Sequence, residues 1–196
     1  MLTIAWDVDD VLNELMRVWF AEIWVPSHPD CGLSYDDIRE NPPDRIFGIE
    51  RAEYLRSLDV FRDSERARCM TPNCAVLHWL ELYGSKCRHI ALTARPLDSV
   101  PQAAEWVFRH FGRHVRTFGV VPARRGPDMP VYDDDKGGFL RRFGGSSVLV
   151  DDSAENVSVA KASGIEGLLF PQPWNGSSST VTEVLDHLTG MVASQS

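Results

Sequence analysis

The chain is poor in the features that assign a protein to a special class. It has four cysteines, Cys31, Cys69, Cys74 and Cys87, with no Cys-x-x-Cys pair and no histidines at zinc-finger spacing. A structural zinc site is therefore not expected, and reduced thiols fit an intracellular protein better than a disulfide framework. No apolar run approaches the ~20 residues a membrane helix needs. The N-terminus shows no basic segment followed by an apolar stretch and a cleavage site, so the expectation is a cytoplasmic protein with no membrane partner. Basic residues are also scarce. With a net charge of −8, and only Arg124–Arg125 and Arg141–Arg142 as adjacent basic pairs, the chain lacks the clustered Lys and Arg that a nucleic-acid polymer requires. No internal repeat is present, and "NGSSST" (175 to 180) is the one low-complexity stretch.

What remains is ordinary globular composition, 43% hydrophobic and 24% charged, over 196 residues. That length suits one domain, or one domain carrying an insertion, and buries roughly 70% of the unfolded surface. The second half alternates by element type. "HIALTA" (89 to 94), "VRTFGVV" (115 to 121), "SSVLVD" (146 to 151) and "EGLLF" (166 to 170) read as buried strands. Between and after them, "SVPQAAEWVFRHF" (99 to 111), "KGGFLRRF" (136 to 143), "SAENVSVAKASG" (153 to 164) and about 180 to 192 read as helices. Such alternation predicts an α/β fold with a doubly wound parallel sheet. Residues 13 to 74 break the rhythm: "NELMRVWFAEIW" and "IERAEYLRSLDVF" look helical around an irregular, proline-rich middle. They read as a small helical cap inserted after strand 1, leaving 1–12 and 75–196 as the core.

One short stretch dominates the chemistry. "AWDVDDVL" places three aspartates in four positions directly after the first apolar run. A lone Asp-x-Asp is usually a turn or a helix cap. In a parallel sheet, however, ligands bind beyond the carboxyl ends of the strands, and Asp7, Asp9, Thr93, Asp151 and Asp152 all fall at predicted strand ends, with Lys136 opening a helix toward the same crevice. Carboxylates crowded in one crevice repel. A hard divalent cation such as Mg²⁺, which takes oxygen ligands from carboxylates, phosphate and water, relieves that repulsion. A carboxylate beside a metal, a lysine and a hydroxyl suits nucleophilic attack on phosphorus, and a second carboxyl two residues on can move the proton.

The set "DVDDV", "LTAR", "DK" and "VLVDDSAEN", in this order and on these elements, resembles the haloacid dehalogenase superfamily of phosphotransferases over nearly the whole chain. The resemblance implies a Rossmann-like core, Asp7 as nucleophile and Asp9 as general acid/base. Thr93 and Lys136 would hold the transferring phosphate; Asp151 and Asp152 would bind Mg²⁺ together with Asp7 and the backbone carbonyl of Asp9. Within the superfamily the chain looks most like the 5'(3')-deoxyribonucleotidase group, through the cap position, the aromatic helix "AEWVFRHFG" and the closing segment "LLFPQPWN". It departs at Asp10, where many members have Gly.

The expected partner is thus a small phosphorylated metabolite such as a nucleoside monophosphate, contacted by Thr93, Ala94, Arg95 and Lys136. Trp19 and Phe20, nearest in sequence to Asp9, are the candidates to stack a base, set against the more common role of such aromatics as core. Arg17 and Arg45 are further candidates for a charged group, and Asn156 for orienting the metal-site carboxylates. The six histidines show no ligand spacing. Two other functions compete: phosphoryl transfer or hydrolysis on a non-nucleotide substrate such as a sugar phosphate, and a non-catalytic phospholigand- or protein-binding domain.

Overall fold

The computed structural model describes residues 1–123, 132–143 and 147–194; Arg124 and Arg125 lie outside these. Five strands, β1 (Thr3–Trp6), β2 (Arg88–Thr93), β3 (Val115–Val120), β4 (Ser147–Asp151) and β5 (Glu166–Leu169), form one sheet in the order β3-β2-β1-β4-β5. Every pairing is parallel, and β1 is central, with Trp6 beside Ala91 on one side and Val150 on the other. The helices are α1 (Leu15–Trp19), α2 (Val25–Ser27), α3 (Asp44–Phe47), α4 (Arg51–Arg62), α5 (Glu65–Arg68), α6 (Cys74–Tyr83), α7 (Val100–Phe111), α8 (Lys136–Arg141), α9 (Ala154–Ala162) and α10 (Val181–Ala193).

The strands are apolar on both faces because both are covered. Side chains alternate across a strand, so Ile4, Trp6, Ala91, Val148 and Val150 pack with Trp79, Trp106, Phe111 and Leu188 of α6, α7 and α10. Ala5, Ile90, Leu92 and Leu149 face the other way, toward Leu140 and Ala160 of α8 and α9. Helix α9 ends where expected. Gly164, at φ +77°, adopts the left-handed turn that glycine enters without a Cβ clash and returns the chain to β5.

Between β1 and β2 the chain builds a third apolar cluster of its own, around Leu15, Met16, Trp19, Phe20, Trp24, Tyr35, Tyr54, Leu58 and Phe61. Its aromatic rings pack on one another: Trp19 lies edge-on to Tyr54 with centroids 5.3 Å apart, and Trp24 stacks on Phe47 at 4.2 Å. This segment overhangs the carboxyl ends of the strands.

One buried histidine ties the core to pH. Trp6 Nε1 donates to His89 Nδ1 at 3.1 Å, so His89 Nε2 carries the proton and faces the Gly84 carbonyl at 2.9 Å. Burial pushes its pKa down to about 4, against the Gly84 bond. The unfolded chain, with a histidine near 6.5, binds the proton first. Stability from neutral His89 is therefore present above pH 6.5 and lost as pH falls toward 4, by roughly 2 kcal/mol at pH 5. We expect His89→Gln, which can keep both hydrogen bonds, to lose that much less than the parent between pH 7 and pH 5 in urea titrations. Equal losses would refute the assignment.

Candidate active site

The site grows out of the sheet's own hydrogen bonding. Asp7 N–H donates to the Val150 carbonyl at 2.9 Å, so the chain is still anchored to β4 where it leaves β1. Asp151, the last residue of β4, is held through its carbonyl by Phe170 N–H at 2.8 Å. Two neighbouring strands thus deliver their terminal carboxylates to one point. One oxygen from each of Asp7, Asp151 and Asp152 lies within 4.8 Å of the others, and all three residues are buried. Lys136, at the first turn of α8 and 2% exposed, reaches Asp7 Oδ1 at 2.5 Å and Asp151 Oδ2 at 2.6 Å. Asn156 donates to both Asp151 oxygens at 3.1 and 3.2 Å, and Trp174 Nε1 donates to Asp152 Oδ2 at 2.9 Å.

Three buried carboxylates against one ammonium leave the cluster under-neutralised. Burial, together with the nearby Asp151 and Asp9 charges, raises the Asp7 pKa to about 7 in spite of Lys136. Burial and the Asp7 and Asp151 charges push Asp152 well above the ordinary carboxylate range. Burial lowers Lys136, but Asp151 and Asp7 outweigh it and hold the ammonium charged. An all-oxygen donor set with surplus negative charge suits a hard divalent cation. The residues present fit such an ion, with Asp7, Asp151 and Asp152 as its side-chain ligands.

Asp9 turns away from this cluster. Its Oδ1 and Oδ2 accept from Arg95 Nη2 and Nε, the latter at 3.2 Å; Arg62 Nη2 donates to Oδ2 at 3.1 Å and Asn13 Nδ2 to Oδ1 at 3.3 Å. Burial opposes ionisation, yet Arg95 and Arg62 prevail and hold Asp9 well below the usual carboxylate range. Next to it, Asp10 has φ +63°, a backbone conformation in which glycine is the unstrained residue. Its buried Oδ1 accepts from Met16 N–H at 2.8 Å and so satisfies a donor at the start of α1. Gln172 Nε2 donates to the Asp10 carbonyl at 2.6 Å, and Tyr35 Oη donates to Gln172 Oε1 at 3.1 Å, which joins the helical segment to the loop after β5.

A cavity of about 180 Å³ opens on this arrangement. Asp7, Asp9, Thr93, Ala94, Arg95, Lys136, Asp152 and Asn156 line its floor, and Leu15, Met16, Tyr54, Leu55, Leu58 and Arg62 its opposite wall. Asp151 lies fully buried beneath. Trp19 and Phe20, expected beside the substrate, lie elsewhere. They are 0% and 5% exposed, pack inside the helical segment, and do not line the cavity; Trp19 Nε1 is committed to Ser57 Oγ at 3.1 Å. Their helical spacing marked an apolar face, which the segment uses to close its own core. Arg17 sits over the Tyr35 ring at 4.1 Å, and Arg45 is exposed; neither lines the cavity.

Sequence reasoning missed Arg62, Asn13, Gln172 and Trp174. Nothing local distinguishes Arg62 from the other seven arginines of residues 13–74. Gln172 and Trp174 fall within the closing segment "LLFPQPWN", where nothing marks which side chains turn toward the site.

No protein-family model matches the chain. Among solved structures it is similar to a protein from Thermotoga maritima provisionally described as a beta-phosphoglucomutase, with 18% identity, a TM-score of 0.62, and 97% of this chain and 99% of that chain covered. It is also similar to a conserved haloacid dehalogenase-like protein of Agrobacterium tumefaciens, at 15% identity and a TM-score of 0.61 over 99% of each chain. A third likeness, at 13% identity and a TM-score of 0.57, is to a hydrolase of the same family from Deinococcus radiodurans with bound phosphate and sodium, covering 98% of this chain and 95% of that chain. At these identities the likeness is one of fold: a parallel five-stranded sheet flanked by helices, in the arrangement of haloacid dehalogenase-type hydrolases.

Proposed function

We propose that this chain is a phosphomonoester hydrolase of the haloacid dehalogenase type, dependent on Mg²⁺ and working through a phosphoryl group carried on Asp7. The observation that carries the reading is the convergence of Asp7, Asp151, Asp152 and Lys136 at adjacent strand ends, with Thr93 on the same cavity. The Asp7 carboxylate attacks phosphorus, and the bond from phosphorus to the alkoxide oxygen breaks. Asp9 gives its proton to that alkoxide; water then attacks the aspartyl phosphate while Asp9 takes back a proton, releasing phosphate and free Asp7. Lys136 and Thr93 bind the oxygens of the transferring group, and Asn156 and Trp174 keep Asp151 and Asp152 aligned. A divalent cation held by the three carboxylates supplies the positive charge that balances the phosphoryl group. With Arg95 and Arg62 in place Asp9 is ionised, ready for the proton-accepting half of the cycle; its donating half requires that this grip loosen.

Residues 13 to 74 serve in this reading as the cap that encloses the substrate. A cavity of about 180 Å³ is smaller than the roughly 300–1,000 Å³ of sites for drug-sized ligands. Among the described residues Tyr54 is the one aromatic on its wall. Both facts favour a short sugar phosphate over a nucleoside monophosphate, which would need room and a stacking surface. The test is phosphate release from glycerol 3-phosphate, glucose 6-phosphate, 5'- and 3'-deoxynucleotides and p-nitrophenyl phosphate, in Mg²⁺ and in EDTA. We expect turnover that stops in EDTA and runs at least about tenfold faster on sugar phosphates, the scale set by about 1.4 kcal/mol of transition-state binding. Preference for a deoxynucleotide would restore the nucleotidase reading, and silence on every compound would point to a binding domain.

A further inference from the structure

The cavity has two poles. Around Asp7 and Asp152 it is rich in carboxylates, and at Asp9 it holds two guanidinium groups, one from each side: Arg95 follows β2, and Arg62 ends α4 in the overhanging segment. One carboxylate is satisfied by one forked arginine, and Arg95, 5% exposed in its side chain, already engages both Asp9 oxygens. Arg62 is the surplus. It donates to Asp9 Oδ2 and, through Nη1, to Asp59 Oδ1 at 2.8 Å, which fixes its direction; its Nε is buried and finds no hydrogen-bond partner among the described residues. Buried donors are rarely left so. The cation is thus held on the cavity wall with donor capacity to spare, beside Asp9 on the leaving-group side of the cavity.

We propose that Arg62 and Arg95 form a subsite for a second anionic group of the substrate, a carboxylate or a further phosphate, so that the preferred esters are phosphorylated acids or bisphosphates. The inference rests on the phosphatase reading given above for the reacting end of the cavity. Arginine is suited to both anions because its planar fork meets two oxygens at once. The incoming anion takes the Arg62 donors that Asp9 now shares, and Leu55, Leu58 and Met16 cover the carbon skeleton between the two ends.

The experiment compares matched esters that differ only in the second group, 3-phosphoglycerate against glycerol 3-phosphate. The parent is expected to favour the acid in kcat/KM by about 10- to 100-fold, the range of one charge-assisted pair. In Arg62→Gln the ratio should fall toward one, and in Arg62→Lys, which keeps the charge without the fork, it should recover in part. Calorimetric titration of the Asp7→Asn protein with the same two compounds in Mg²⁺ separates the two readings. Tighter binding of the acid, lost on adding Arg62→Gln, upholds the subsite even if no ester is hydrolysed. An unchanged ratio in Arg62→Gln, or equal affinities for the two compounds, overturns it.

Discussion

Asp7→Asn is expected to abolish phosphate release, by on the order of 10⁴-fold or more, while making the metal-free protein more stable. The first half follows from chemistry: an amide cannot attack phosphorus and leave again, and removing a nucleophile removes the step that the rest of the site serves. The second half follows from electrostatics. With its pKa raised to about 7 by burial and by Asp151 and Asp9, the Asp7 carboxyl resists the ionised form. A raised folded pKa in an acid means that the unfolded chain, ionised from about pH 4 upward, gains on the folded one as pH rises from 4 to 7. The neutral amide of Asp7→Asn escapes that loss. It leaves Asp151 and Asp152 facing Lys136, a better balance, and we expect a gain of about 2 kcal/mol at pH 7.5 in EDTA, which for a chain of this size raises the melting temperature by roughly 4–8 °C. Melting curves in EDTA and a phosphate assay in Mg²⁺ read both halves. An inactive variant that is also less stable would mean that Asp7 is a structural group.

The second large effect is at Lys136. Its ammonium is buried between Asp7 and Asp151 and is the only cation hydrogen-bonded to either carboxylate among the described residues. Lys136→Met keeps the volume and removes the charge. Removing one partner of a buried pair typically costs about 3–5 kcal/mol, because the remaining charge is left without compensation. The metal-free variant should therefore melt roughly 10 °C lower at pH 7.5. The deficit should shrink toward pH 5, since protonation of Asp7 removes part of the charge that Lys136 balanced, and it should shrink again in excess Mg²⁺, which supplies the missing positive charge. Activity should fall by at least about 10²-fold, the scale of one electrostatic contact to the reacting group. A melting temperature equal to the parent's in EDTA at pH 7.5 would remove the electrostatic account.

Taken together, these variants probe a site that is held under repulsion. Asp7, Asp152 and Asp10 carry carboxyls pushed upward by burial and by neighbouring carboxylates, whereas in the same site Asp9 is drawn downward by Arg95 and Arg62. Stability is given up locally so that charge is placed where a phosphoryl group reacts.

Much of this was legible in the linear chain. Apolar runs of four to six residues separated by amphipathic stretches predict parallel strands, because only strands buried on both faces lack alternation; the sheet β3-β2-β1-β4-β5 is that prediction in three dimensions. The end of each strand is a position in space as well as in sequence, so Asp7, Thr93 and Asp151 could be brought together on paper. Helix α6 lies outside that alternation, although Val76, Trp79 and Leu80 carry its buried face and Asn73 caps its start. The places of Trp19 and Phe20 depend on packing rather than on period. Helical periodicity says that a face is apolar, and it does not say whether that face meets a ligand or its own neighbours.

By itself, then, the order of residues determined the layers, the strand ends and the meeting of carboxylates with a lysine, because those depend on period and on the single crossover rule of parallel sheets. Only the tertiary structure decided that Arg62 turns toward Asp9, that Trp174 holds Asp152 and that the aromatics of residues 13 to 74 face inward. Such contacts join residues 53 and 22 positions apart along the chain, and which of several equivalent side chains makes them is settled by packing, for which no local pattern stands.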